Sequence, residues 1–588
     1  MILVTSDERC CRIEFGALSN SNHSDRSVRL VIASSASRID NFAQLARQFG
    51  LGPKVCLESL LIAGWQRWGT DLAKHLRGVF AFVLQDIKAK CFYVVRDHFG
   101  LAPLFTCEHR GALIIGLSSQ SIRAQIPGSL ADNELMLADF VTGAYLERAA
   151  TFFSGIERFP EAHWALISAD GEQRCRYWSL SAIPAQPDPY QPVERFRELM
   201  DKAVSHCVIP AQTGLMLSGG LDSSAIAASA ALLGGPPLAT FSLTYHQSQG
   251  WCDDRHLAAV AAKTGLDPIE FPSDRHDPLE DMEFWLRAVD GPYLPRGHSV
   301  SFRLLKIAQA KGTQVLLSGH GGDEVVSYGF GRLNELAKAR RWWDLWAETK
   351  GAADLYGESR LRILRPYLSH IYRLRPIIRW LARSDDAQKP FDRKFLSDAA
   401  NADLPADRYN TRLARNRIDH DERMIHEEAL EQALQPCSLE IFALCSAAAG
   451  LETRLPFYDV DLVEHSLSLP SEWKLRHGYS RYILRHAYAG DLPEITLKRR
   501  DKYDFYGPFV AGLADQREKV LDLTGPGLAD RWGLVNRDSL NAARDRLYRN
   551  GTGIERVEAF FLWRIAILAM WAGISQQPLA APIMKEVI

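Results

Sequence analysis

Apolar positions are organised differently on the two sides of residue 182. Upstream, short runs rich in β-branched and aromatic residues recur at 29–33, 81–85, 91–95 and 112–116, separated by turn residues. That pattern predicts a layered β-rich domain. One helical stretch, 57–68, interrupts it. Segment 182–192 (AIPAQPDPYQP) reads as a linker, because proline discourages helix and strand alike. Downstream the elements alternate. An apolar run at 214–217 precedes an alanine-rich helix ending at Gly234 and Gly235. Then come a strand at 238–245, a helix at 255–263, a helix at 299–311 and a strand at 314–317. This predicts a parallel α/β sheet with right-handed crossovers. From 332 to about 435 almost everything reads as helix. The late apolar run 560–574 is broken by Arg564, is too short to span a bilayer, and reads as a core helix. The expected domains are 1–181 and 193–588, joined by the linker 182–192, with a helical insertion at about 332–435.

Composition narrows the field. The chain has 588 residues, 47% hydrophobic and 24% charged, which excludes a disordered chain, a collagen and a disulfide mini-scaffold. A formal net charge of -2 gives no overall basic field, so nucleic acid is not an expected partner. The ten cysteines form no CxxC pair and show no zinc spacing with histidine. The start, MILVTSDERC, lacks a secretory pattern. A cytoplasmic protein without membrane association is expected.

Two loops carry the chemistry. Ser218, Gly219, Gly220, Leu221, Asp222, Ser223 and Ser224 stand between a buried strand and a helix. Glycines allow close backbone approach, and amides at a helix start attract phosphate oxygens. The Walker ending GK[ST] is absent. An aspartate in an anion-binding loop repels phosphate unless a cation intervenes, so Asp222 calls for Mg²⁺. The bland alternative is a capped strand–turn–helix. A second polar loop, Ser318-Gly319-His320-Gly321-Gly322-Asp323-Glu324, also follows a strand, where open α/β sheets bind ligands. Asp323 is the candidate second carboxylate for the metal. Alone, this loop reads as a glycine-rich turn with a solvated acidic pair.

Together these loops resemble the synthetase domain of asparagine synthetases and their relatives, which use the pyrophosphate-loop ATP fold. The relatives include β-lactam synthetases and lasso-peptide macrolactam synthetases. GLETRLPFYD at 450–459 is similar to the family's G-[LV]-E-x-R-x-P-[FY]-[LY]-D segment. YSRYILR at 479–485 resembles its K-x-x-L-R helix, and RDKYDF at 500–505 its R-x-K-x-x-F loop. Upstream, Trp68-Gly69, LRGVFAF at 76–82 and RDHFGLAPL at 96–104 look like the family's class II glutamine amidotransferase domain. The resemblance implies an Ntn-hydrolase-like β-rich sandwich before the linker, and a PP-loop α/β domain with helical additions after it.

It also implies roles. The substrate carboxylate would attack the α-phosphorus of ATP, pyrophosphate would leave, and an amine would displace AMP from the acyl-adenylate. The 218–224 loop would hold pyrophosphate, and Asp222 and Asp323 would hold Mg²⁺. Leu217, Leu243, Ser318 and Gly319 would line the adenosine pocket. Lys502 matches the family's catalytic lysine, a cation for the α-phosphate and oxyanion. Without that context it reads as one of a solvated basic run with Lys498, Arg499 and Arg500. His320 stands where asparagine synthetases place glutamate and β-lactam synthetase tyrosine. It is either the base for the attacking amine, with Glu452 as a possible orienting partner, or a group that shapes the acceptor pocket.

The family's glutaminase uses a cysteine exposed after methionine removal. Here Ile2 follows Met1, and isoleucine cannot form a thioester. An amidotransferase-like domain without glutaminase activity is therefore expected. In the insertion, Arg360, Arg362, Arg365, Arg373, Arg375, Arg379 and Arg383 run with Trp342, Trp343, Trp346, Tyr367, Tyr372 and Trp380 nearby. The pattern fits RNA binding, a peptide-recognition wall or a docking surface, and equally plain amphipathic helices with tryptophans inward. His420 and His426 read as a solvated helix face rather than a metal site. The leading expectation is a lasso-peptide cyclase joining a peptide N-terminal amine to an Asp or Glu side chain, with a leader-binding protein and a cysteine protease as partners. The alternative is an asparagine synthetase-like or β-lactam-type ligase on a small substrate, supplied by ammonia rather than glutamine. A tRNA-modifying PP-loop enzyme and a silent scaffold fit less well.

Overall fold

The computed structural model describes residues 2–7, 10–14, 28–34, 37–52, 54–245, 254–293, 297–371, 393–405, 408, 419–500, 506–527 and 530–575. The first part is built on two five-stranded antiparallel sheets. One runs in the order Ile2–Asp7, Cys10–Glu14, Ala112–Gly116, Phe105–His109, Ile156–Arg158. The other runs Gly171–Arg176, His163–Ser168, Cys91–Arg96, Ala81–Asp86, Val28–Ala33. Period-two alternation explains how continuous apolar strands are used. Val83, Phe92 and Val94 point between the sheets, toward Cys11, Ile13 and Ile115. Their neighbours Phe82, Leu84, Tyr93 and Val95 point the other way, against Leu60 and Leu61 of the helix Leu57–Trp68. Helices thus cover a two-sheet sandwich, the Ntn-hydrolase-like arrangement.

The proline-rich segment is docked, not loose: Gln186 N–H donates to Ser468 O at 2.9 Å. Pro192 then opens the helix Pro192–Cys207, where a missing N–H costs nothing. Beyond it lies a five-stranded, all-parallel sheet in the order Pro268–Pro272, Ala239–Thr244, Thr213–Met216, Val315–Leu317, Glu452–Arg454. Its order places the strands preceding the two glycine loops side by side at the centre. Elements described between 332 and 435 are helical, including Trp342–Tyr356, Arg360–Ile371 and Glu422–Leu430. Arg556–Ser575 is long and apolar enough to cross a membrane, but 78% of its apolar window is buried inside the protein. Its Phe561, Leu562 and Trp563 share one core with Phe140 and Phe153 of the N-terminal part.

Two expectations about the insertion need correction. His426 is not on a solvated face. It is fully buried, and Lys474 Nζ lies 2.8 Å from its Nδ1. Nor do all tryptophans turn inward: Trp343 is 87% exposed, while Tyr367 is buried. Arg373, Arg375, Arg379, Arg383, Tyr372 and Trp380 lie outside the described residues.

Candidate active site

The first loop begins where Leu217 extends the ladder of Thr213–Met216, its N–H donating to Phe241 O at 2.9 Å. Residues 218–220 then turn into the helix Leu221–Ala231. Gly219 sits at φ +71, and a Cβ there would meet Leu257 N at 2.6 Å, so the turn needs glycine. Two hydroxyls brace it. Ser218 N–H donates to Ser223 Oγ at 3.2 Å, Gly220 N–H to Ser218 Oγ at 3.3 Å, and the two Oγ atoms stand 3.1 Å apart. Ser224 is fully buried. Leu217 is buried and Leu243, on the neighbouring strand, half-buried.

The second loop follows Val315–Leu317, with Ser318 N–H donating to Arg454 O at 3.1 Å. Its glycines let it press on the first loop. A Cβ on Gly319 would lie 2.9 Å from Ser223 N, and one on Gly322 would lie 2.4 Å from Asp222 Cγ. Gly321 adopts φ +95, with the Tyr458 ring filling the space a side chain would need. Asp222 and Asp323 each fall in the first turn of a helix, Leu221–Ala231 and Gly322–Val326, where the helix dipole favours an anion.

The two carboxylates converge on one atom. Arg481 Nη1 donates to Asp222 Oδ1 at 2.7 Å, to Asp222 Oδ2 at 2.6 Å and to Asp323 Oδ1 at 2.7 Å. Burial opposes the guanidinium charge, but Asp222 and Asp323 outweigh it and drive its pKa above the ordinary value. Arg481 sits at φ +51 and its Cζ lies 5.3 Å from the Tyr328 ring. Behind it Arg485 is buried, with its pKa lowered to about 10 by burial and then by Arg481. The family-like segment 479–485 marked the position of Arg481, but not its partner Asp222, which stands 259 residues away.

His320 projects from the second loop between two rings, 5.0 Å from Phe442 and 6.4 Å from Tyr458. Tyr458 in turn meets Phe99 of the N-terminal part at 5.5 Å, so that part reaches the loop. Glu452 does not orient His320, contrary to expectation. Its carboxylate takes Arg454 Nε and Nη2, both at 2.8 Å. It pairs in register with Val315, at the strand end away from the glycine loops. Lys502 lies outside the described residues. Arg500, just before it, stacks 4.0 Å over Tyr479, on the strand Tyr479–Ser480 that delivers Arg481. The insertion abuts the same place: a Cβ on Gly351 of Trp342–Tyr356 would meet Gly478 O at 2.4 Å.

The asparagine synthase family profile matches residues 195–573. The chain belongs to the asparagine synthase family. A glutamine amidotransferase domain profile matches residues 37–178. Among curated relatives, asparagine synthetase [glutamine-hydrolyzing] 3 of Bacillus subtilis is 24% identical over 75% of this chain and 69% of its own length. Asparagine synthetase [glutamine-hydrolyzing] 1 of the same organism is 22% identical over 88% and 80% respectively. A solved glutamine phosphoribosylpyrophosphate amidotransferase from B. subtilis covers 37% of this chain at 14% identity, with a TM-score of 0.17. This member of the asparagine synthase family is an asparagine synthetase-like, ATP-dependent carbon–nitrogen ligase.

Proposed function

We propose that this enzyme adenylates a substrate carboxylate and joins it to an amine belonging to the substrate, as a lasso-peptide cyclase does. The observation that carries the adenylation step is the meeting of Asp222 and Asp323 on Arg481 Nη1 beside two glycine loops. A position that already gathers two carboxylates around one positive charge suits a cation. Mg²⁺ held by Asp222 and Asp323 would neutralise charge on the departing pyrophosphate. Amides of residues 218–224, with the Ser218 and Ser223 hydroxyls, would cradle that pyrophosphate. Leu217, Leu243, Ser318 and Gly319 would flank the adenosine. His320 would take the proton from the attacking amine, and Lys502 would face the α-phosphate.

Two features support a long substrate. The helical insertion packs against the hairpin that carries Arg481. An aromatic series leads outward from Arg481: Tyr328 stacks on Phe330 at 5.7 Å, and Phe330 meets Tyr356 at 5.8 Å. The amidotransferase-like domain is read as lacking glutaminase activity. In it Cys11 is fully buried, and burial raises the thiol pKa of Cys91, to about 11, and of Cys107. None of these three suits nucleophilic attack, whereas Cys56 is exposed with its thiol pKa lowered by hydrogen bonding to Ser59, but it is not at the chain position the family uses. The names of the curated relatives, asparagine synthetases that hydrolyse glutamine, favour a second reading, an asparagine-type ligase; with isoleucine at position 2 it would draw on ammonia instead of glutamine.

ATP–pyrophosphate exchange separates the readings. Exchange that requires a linear peptide bearing an Asp or Glu side chain, followed by loss of one water from its mass, supports the cyclase. Exchange with free aspartate and ammonia supports the second reading. No exchange with either sinks both. A leader-binding protein and a cysteine protease are the partners this reading expects, in the cytoplasm.

A further inference from the structure

We infer that Asp40, His206 and Asp459 form a binding site for one divalent transition-metal ion of the zinc class, set between the amidotransferase-like and synthetase parts. One ligand atom from each residue lies within 4.8 Å of the other two. Metal–ligand bonds of ~2.1 Å put tetrahedral ligands about 3.4 Å apart, a closure that side-chain rotation can supply.

The three residues come from separate elements. Asp40 follows the strand Arg38–Ile39, His206 stands in the last turn of Pro192–Cys207, and Asp459 caps the helix Val460–Ser468. Each carboxylate is already oriented by an outer donor, as metal-binding carboxylates commonly are. Arg38 Nε donates to Asp40 Oδ1 at 2.5 Å, with Nη2 3.4 Å from Oδ2. Leu462 N–H donates to Asp459 Oδ1 at 3.1 Å, leaving Oδ2 for a cation. The Asp40 side chain is only 6% exposed. His206 Nδ1 is buried and has no hydrogen-bond partner among the described residues.

Charge bookkeeping points at Asp459. Lys202 answers Asp461 at 2.9 Å, Arg77 answers Asp461 at 3.4 Å, and Arg38 answers Asp40. Asp459 has no ion pair among the described residues. One imidazole with two carboxylates suits Zn²⁺ or Co²⁺ better than Mg²⁺, and three protein ligands leave an open position. Asp459 directly follows Tyr458, whose ring supports Gly321, so an ion here would tie domain docking to the His320 loop.

The test uses the full chain stripped with chelator and titrated with Co²⁺, read by its visible d–d bands. Wild type is expected to take up about one such ion per chain, with intensity typical of low coordination. His206→Ala and Asp40→Asn should each lose the bands and at least ~10-fold in affinity, while Asp222→Asn should keep both. If His206→Ala does not fold, Asp40→Asn decides. No bands in wild type, or equal bands in the folded variants, overturns the site. Loss of the bands in Asp222→Asn overturns it as well, since the cobalt would then report the nucleotide cleft.

Discussion

Gly322 lies against the carboxylate of Asp222, where a Cβ would stand 2.4 Å from Asp222 Cγ. The second loop can reach the first only because this position lacks a side chain. Gly322 has no left-handed backbone angle, so alanine fits the helix Gly322–Val326 and adds up to ~1 kcal/mol of helix propensity. The methyl would also stand 2.8 Å from Asp222 Cβ, so it must push the two loops apart as well as displace the Asp222 carboxylate. Gly322→Ala is expected to melt below wild type, because it disturbs the Asp222–Arg481 contact, and, in the protein that folds, to lose about 10²-fold in ATP–pyrophosphate exchange, the usual cost of moving a reacting group by ~1 Å. Normal exchange in the folded variant would show that the carboxylate position is unimportant.

Arg481 holds the two carboxylates that the proposed reaction assigns to Mg²⁺. Removing one partner from a buried ion cluster leaves uncompensated charge and costs ~3–5 kcal/mol. Arg481→Met should therefore be strongly destabilised in metal-free buffer. Added Mg²⁺ should restore much of that loss in the variant and change wild type little, because only the variant has lost the guanidinium that Asp222 and Asp323 share. Thermal melts with and without Mg²⁺ check this, and an equal Mg²⁺ effect on both proteins would sink it.

What the sequence disclosed and what it hid follow from distance along the chain. The strand–loop–helix at 213–231 was readable because glycines, hydroxyls and apolar run are contiguous. The strand and polar loop from 315 were readable in the same way, but the short helix Gly322–Val326 was not, because its glycine and acidic pair read as part of the loop. Arg481 stood in a family-like segment, but its role was hidden because its partners stand 259 and 158 residues away. Glu452 misled because a family-like segment does not reveal register: pairing with Val315 sets it at the wrong end of the strand, beside Arg454. His426 misled because HDERMIHEEAL looks solvated until Lys474, 48 residues on, folds over it.

Lys474 yields a pH dependence. It is 1% exposed, its Nζ is 2.8 Å from His426 Nδ1 and 4.0 Å from Glu422, and Glu335, Arg423 and Asp421 also act on it. Burial lowers its pKa to about 8, against the attraction of Glu422. Burial raises the Glu422 pKa, so both partners resist ionisation. Below pH 8 the folded and unfolded chains both carry the lysine proton, and the burial penalty is constant. Between pH 8 and the ordinary lysine value of 10.5 only the unfolded chain carries it, so stability rises with pH across that window. Relative to Lys474→Met, wild type should gain on the order of 1 kcal/mol per pH unit there. Denaturation of both proteins at neutral pH and near pH ~10 measures it. A difference that does not change with pH would rule out titration of Lys474 in this window.

His320 separates the two halves of the proposed reaction. It lies on the second loop among Phe442 and Tyr458, whereas the groups proposed to face phosphate come from residues 218–224 and from Asp323. Adenylation needs no proton removed from an amine, but amide formation does. A general base contributes roughly 10²–10⁴-fold to the step it serves. His320→Ala should accordingly keep ATP–pyrophosphate exchange within a few-fold of wild type, while product formation falls by at least ~10²-fold and adenylate accumulates on the enzyme in single-turnover quenches. His320→Gln, which keeps a similar shape without a basic nitrogen, should behave like alanine. Recovery of turnover in the glutamine variant would assign His320 to shaping the pocket, and a parallel fall in exchange and product would place it at the adenylation step instead.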